Sequence, residues 1–123
     1  MTDQHFTLPH NHNHHNGSDH LKRYIPDTNT ITTVSEAMKQ LGDPSRLRIF
    51  WLLCHCEECV TNIAALTDMT APAVSHHLRL LKGSGLIISR RDGKEMYYKA
   101  AETDLAQKLH HTIEEVAMIS CPQ

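Results

Sequence analysis

The chain has 123 residues, 40% of them hydrophobic and 5% aromatic, with a formal net charge of -2. That length suits one aliphatic-cored domain plus a tail and leaves little room for a second core. No run reaches the roughly 18–20 apolar residues of a membrane span, and the start lacks the basic-then-apolar order of a secretory signal, so a cytoplasmic protein with no membrane partner is expected.

Six of the eleven histidines fall within the first 20 residues. Cys54, Cys56 and Cys59 lie within six positions, and Cys121 stands alone near the C-terminus. In a reducing compartment such a cluster points to a metal or redox site rather than structural disulfides.

Residues 1–29 read as a disordered His-rich N-terminal tail and linker, because they offer too little apolar surface to offset their ordering entropy. Residues 30–121 form the folded domain. Thr33 and Glu36 have capping-box spacing, so a helix is expected to begin there, with Val34, Met38 and Leu41 recurring at helical spacing and Gly42 as its stop. Asp43-Pro44 restarts a helix, Asp43 as N-cap and Pro44 at the first helical position. Leu47, Ile49, Phe50, Trp51, Leu52 and Leu53 are apolar nearly all round, which places that helix centrally.

A short helix over Val60–Leu66 follows, with Ile63, Ala64 and Leu66 inward. After a turn, Thr70 caps a helix with Pro72 in its first turn. This helix sets Val74, Leu78 and Leu81 toward the core and Ser75, His76 and Arg79 on the opposite side, and Gly83 or Gly85 closes it. Residues 86–91 and 94–99 then flank Asp92-Gly93 as two strands of a hairpin. A last helix over about Thr103–Ile119 carries Leu105, Leu109, Thr112, Ile113, Val116 and Ile119 on one stripe, suited to internal packing or to a second subunit.

The expected fold is mainly α with a small β-hairpin, in the order of a winged helix-turn-helix. The charge map agrees. Residues 70–100 hold Arg79, Lys82, Arg90, Arg91, Lys94 and Lys99 against Asp92 and Glu95, a local +4 that leaves -6 elsewhere. Phosphate binding needs cations where the backbone lies, whatever a distant tail carries. A basic hairpin can also be only a solvated surface, so the reading rests on charge and element order together.

Asp43-Pro44-Ser45-Arg46-Leu47-Arg48-Ile49, the block Ala73-Val74-Ser75-His76-His77-Leu78-Arg79-Leu80-Leu81, and Arg90-Arg91-Asp92-Gly93-Lys94 with Tyr97-Tyr98 resemble the ArsR/SmtB family of bacterial metal-responsive repressors. The resemblance covers about residues 30–120. It implies a homodimer that binds palindromic double-stranded operator DNA, one polar helix per half-site, and leaves it when metal binds. Ser75, His76 and Arg79 would then meet base edges or nearby phosphates, with Thr70 and Ala71 at the phosphate-favouring helix N-terminus. Arg90, Arg91 and Lys94 would position the wing. His77 has two readings, a DNA contact or a packed histidine.

The family places metal ligands in two regions, and both have counterparts here. Around Glu58-Cys59-Val60 this chain departs from the family pattern, with Thr61 where a second cysteine is expected. Cys54 and Cys56 offer replacements, since CxC and CxxC spacings let two or three thiolates reach one ion. Sulfur favours zinc, cadmium, lead or arsenite, and His12, His14 and His15 of the tail are candidates to complete a zinc site. In the last helix, Glu102, Asp104 and Glu115 match the family's second site, but Met118 stands where its fourth donor belongs. Cys121 is a further candidate. A thiol-based redox or reactive-sulfur-responsive repressor of the same fold is the alternative. No phosphate loop or catalytic acid pair appears, and no enzyme is expected.

Overall fold

The structure, a computed structural model, describes residues 7–10, 12 and 17–120. Its elements run α1 (Gly17–Lys22), α2 (Thr28–Leu41), α3 (Pro44–Leu53), β1 (Glu58–Cys59), α4 (Val60–Thr67), α5 (Ala71–Gly83), β2 (Ile87–Asp92), β3 (Glu95–Ala100) and α6 (Asp104–Ser120). The chain divides into two compact units, Met1–Ser35 and Glu36–Gln123.

The first unit departs from its sequence reading. The stretch taken as tail and linker contains α1, followed by a turn in which the His20 ring meets the Tyr24 hydroxyl at 3.2 Å. The next helix starts at Thr28, so Thr33 lies inside it rather than at its cap. The cap is Asp27, whose carboxylate accepts the Thr30 amide at 2.9 Å. Asp is the stronger cap, and Pro26 before it disfavours an earlier start. The hydrogen bonds from Thr30 lower the Asp27 pKa. Val34 and Met38 prove exposed, while Ala37 and Gln40 are the buried residues of α2.

In the second unit Asp43 caps α3 as expected, with extended backbone and its carboxylate 2.9 Å from the Arg46 amide. The central character of α3 also holds: Ile49, Phe50 and Leu53 are buried among Ile63, Val74, Leu78, Leu81, Leu86, Ile87 and Leu109. Each fully buried side chain of this kind contributes roughly 1.5–3 kcal/mol over its exposed state.

The short α4 ends one residue later than expected. Thr67 is its buried member, satisfied by donating to the Ile63 carbonyl at 2.7 Å, and Leu66 faces outward. Asp68 closes α4 in the left-handed region at φ 56. Thr70 then caps α5, accepting the Ala73 amide at 3.3 Å, and Val74, Leu78 and Leu81 are its buried face. Here α5 packs on both α3 and α4, which is the helix-turn-helix arrangement.

The sheet has three antiparallel strands in the order β1-β3-β2. Strand β1 was not foreseen; it pairs Glu58 with Tyr98 and Cys59 with Tyr97. The wing turn is displaced by one residue. Asp92 pairs with Glu95, leaving Gly93 and Lys94 as the loop, with Gly93 at φ 65 where a tight hairpin needs a positive angle. The final helix begins at Asp104, capped by the Thr103 hydroxyl, and buries Ala106 and Leu109. Leu105, Val116 and Ile119 of the expected stripe are exposed.

Candidate DNA-reading surface and metal centre

The polar side of α5 exists because its apolar residues recur at helical spacing and fill the core. Ser75, His76 and Arg79 are left exposed together, with Thr70 and Ala71 exposed at the N-terminal end. His77 differs. Its side chain is mostly buried, 3.4 Å from the Arg46 guanidinium and 3.9 Å from the Asp43 carboxylate. Burial lowers its pKa despite the attraction of Asp43. His77 therefore holds α5 against the start of α3, and the packed reading fits its surroundings.

Helix and wing are fastened together. The Lys82 ammonium at the end of α5 donates to the Ser89 hydroxyl of β2 at 2.7 Å. Along the wing the cations divide in two. Arg90 makes a bidentate contact with Glu57 at 2.8 and 2.9 Å, approaches Asp92 at 3.6 Å, and lies 5.2 Å from the Tyr97 ring centre. Arg91 and Lys94 are exposed and form no ion pair among the described residues. They are the wing charges available to a phosphate.

The three clustered cysteines are reduced thiols. Cys54 ends α3 and is half-buried; burial, aided by the Glu114 charge, pushes its pKa up to about 12. Cys56 donates to the Leu52 carbonyl at 3.5 Å, and burial with the Glu58 charge raises its pKa too. Both line one cleft of about 310 Å³, together with Lys99, Glu102 and His110. Cys59 is buried in β1 and is not part of that lining.

Among the described residues, the three thiols do not form a group whose ligand atoms lie within reach of one ion. Of the terminal-helix candidates, Glu102 pairs with Lys99 at 3.4 Å, Glu115 pairs with His111 at 3.4 Å, and Asp104 is the exposed first residue of α6. His12 stacks on His10 with ring centres 5.9 Å apart. His14, His15 and Cys121 lie outside the described residues.

Among the described residues the group that converges is His55, His110 and Glu114, none of them among the expected ligands. The only local signal was the i, i+4 spacing of His110 and Glu114 on one helix face.

A helix-turn-helix with a basic wing and an outward polar helix defines a DNA-binding regulator of the winged type. Residues 43–89 match the bacterial regulatory protein arsR family. The HTH-type transcriptional regulator NmtR of Mycobacterium tuberculosis is 34% identical over 87 residues, which are 71% of this chain and 72% of that protein. The cadmium resistance transcriptional regulatory protein CadC of Listeria innocua is 43% identical over 67 residues, 54% of this chain and 56% of that one. The homodimeric winged helix-turn-helix DNA-binding domain of a possible ArsR-family regulator from Mycobacterium bovis superposes with a TM-score of 0.66 at 32% identity, covering 76% of this chain and 87% of that one. The chain belongs to the arsR family of bacterial regulatory proteins. It spans about half the length of several curated relatives. These relatives are regulators rather than enzymes, and no helix among the described residues is long and apolar enough to cross a membrane.

Proposed function

We propose that the protein is a cytoplasmic, metal-responsive transcriptional repressor that binds operator DNA as a homodimer and is released when a thiophilic ion, zinc foremost, binds. The observation that carries this reading is the joint exposure of Ser75, His76 and Arg79 on α5 beside the exposed Arg91 and Lys94 of the wing, which pair with no acid among the described residues. A groove-entering helix flanked by phosphate-binding cations is what sequence-specific duplex recognition requires.

Dimerisation is supported by an open apolar groove of about 320 Å³, where α6 residues Leu109, Ile113 and Val116 meet Met38, Leu41, Leu47 and Trp51. A second subunit is the simplest cover for such a face, and two-fold symmetry would match a palindromic operator. For the ion, Cys54 and Cys56 supply two sulfurs from the end of α3. Their raised pKa values mean that binding must displace protons, so apparent affinity should increase with pH. The same values disfavour the redox alternative, because a thiol held protonated is a poor nucleophile. Release would follow from tighter ion binding to a dimer whose recognition helices are wrongly spaced.

The test is operator binding by the full chain at moderate salt, with and without zinc or cadmium. Cys54→Ser with Cys56→Ser should abolish release while leaving DNA affinity unchanged. Persistence of release in that variant and in one also carrying Cys59→Ser would remove the thiols from sensing.

A further inference from the structure

We propose that His55, His110 and Glu114 form a second, sulfur-free cation site that takes a borderline divalent ion of the zinc type and clamps the end of α3 to α6. The His55 Nε2 lies 3.3 Å from the His110 Nε2. Both nitrogens approach one carboxylate oxygen, Glu114 Oε2, at 3.4 Å from His55 and 3.2 Å from His110. The three atoms make a nearly equilateral triangle.

That size is informative. A tetrahedral ion with ligand distances of 2.0–2.1 Å requires edges of about 3.3–3.4 Å between its ligands. Octahedral magnesium, at similar ligand distances, would want edges of about 3.0 Å and oxygen donors. Two imidazoles and a carboxylate are also the donors that zinc, cobalt and nickel accept, while arsenite and lead prefer sulfur. A proton can bridge only one edge of the triangle, whereas a cation at its centre satisfies all three.

The elements prepare this arrangement. His110 and Glu114 stand one turn apart on α6, and His55 follows directly on the α3 C-cap. The Trp51 indole N–H reaches the same Glu114 oxygen at 3.4 Å, a supporting bond that fixes the carboxylate. The His55 and His110 rings meet edge to face at 85°, so their nitrogens converge without stacking. Donors are 25–59% exposed, which leaves an approach for the ion and room for a fourth, exchangeable ligand.

This site differs in donor chemistry from the cysteine cleft and does not depend on the repressor reading, since its test reads metal binding rather than DNA. The probe is cobalt(II), titrated into full-length protein in which all four cysteines are Ser and the six histidines of the first 20 residues are Asn. One equivalent should bind, with visible ligand-field bands and no thiolate-to-cobalt charge transfer. Adding His110→Gln or Glu114→Gln, both at partly exposed positions where an amide of similar size keeps the packing, should weaken binding at least about tenfold. Failure of the background protein to bind cobalt stoichiometrically, or binding unchanged by both added substitutions, would overturn the proposal.

Discussion

Arg90 in the wing is clasped by Glu57, which lies just ahead of β1 in the cysteine-bearing segment, through two hydrogen bonds of 2.8 and 2.9 Å. The contact joins the wing hairpin to the stretch between Cys56 and Cys59. It also withholds one cation from phosphate. The Arg90 hydrogen bonds lower the Glu57 pKa, so the carboxylate stays charged, and the clasp closed, at neutral pH. The contribution of the pair is present above the unfolded carboxylate pKa and is lost only as pH falls through the depressed folded value.

Glu57→Ala should therefore release Arg90 and tighten operator binding at low salt. If Arg90 then reaches a phosphate, the slope of log affinity against log salt steepens by about 0.9. Binding isotherms across a salt series measure this directly, and an unchanged slope would show that Arg90 stays off the backbone.

Arg79 and Arg91 should fail differently when truncated. Arg79 projects from the exposed face of α5, so Arg79→Ala should cost about 1–3 kcal/mol on the operator and little on scrambled DNA. Arg91→Ala removes a wing charge, and should weaken both duplexes alike and flatten the salt slope by about 0.9. Competition between operator and scrambled duplex separates the two patterns.

The parts of the fold that could be read from sequence were those set by local chemistry. Asp43-Pro44 and Thr70 cap their helices because a short polar side chain meets free amides within three residues. The inner face of α5 follows from helical spacing alone. Strand β1 escaped because two residues show no periodicity, and only pairing with Tyr97 and Tyr98 makes them a strand. Met38 and Val116 are exposed although they fall on apolar faces, because periodicity reports such a face without saying whether this subunit covers it. The His55–His110–Glu114 group needed α3 and α6 to be placed in space. For the three cysteines, closeness in sequence did not fix placement: Cys54 and Cys56 line one cleft and Cys59 does not.

His77 should give the domain a measurable pH response. Burial depresses its folded pKa below the ordinary 6.5, so the unfolded chain takes up a proton before the folded one does. The neutral folded form is fully favoured above the unfolded pKa, and stability is lost as pH falls below about 6.5 toward the folded value. His77→Gln should remove that part of the slope while leaving the contributions of other histidines. Urea midpoints of both proteins from pH 7.5 down to about pH 5.5 test it, and parallel curves would show that His77 titrates alike in both states.

Val116 bears on the assembly. It is 52% exposed on α6 and lines the apolar groove with Leu41, Leu47, Trp51 and Ile113. A carboxylate there stays solvated in a monomer but would be stripped of water beneath a partner subunit, a cost far larger than the lost methyl contacts. Val116→Glu should leave helix content and monomer folding intact while weakening self-association by at least about tenfold. Operator affinity should fall with it, because two half-sites need two linked recognition helices. Sedimentation and operator titration over a range of protein concentrations read both effects. A variant that remains dimeric at wild-type concentrations would place the subunit contact on another face.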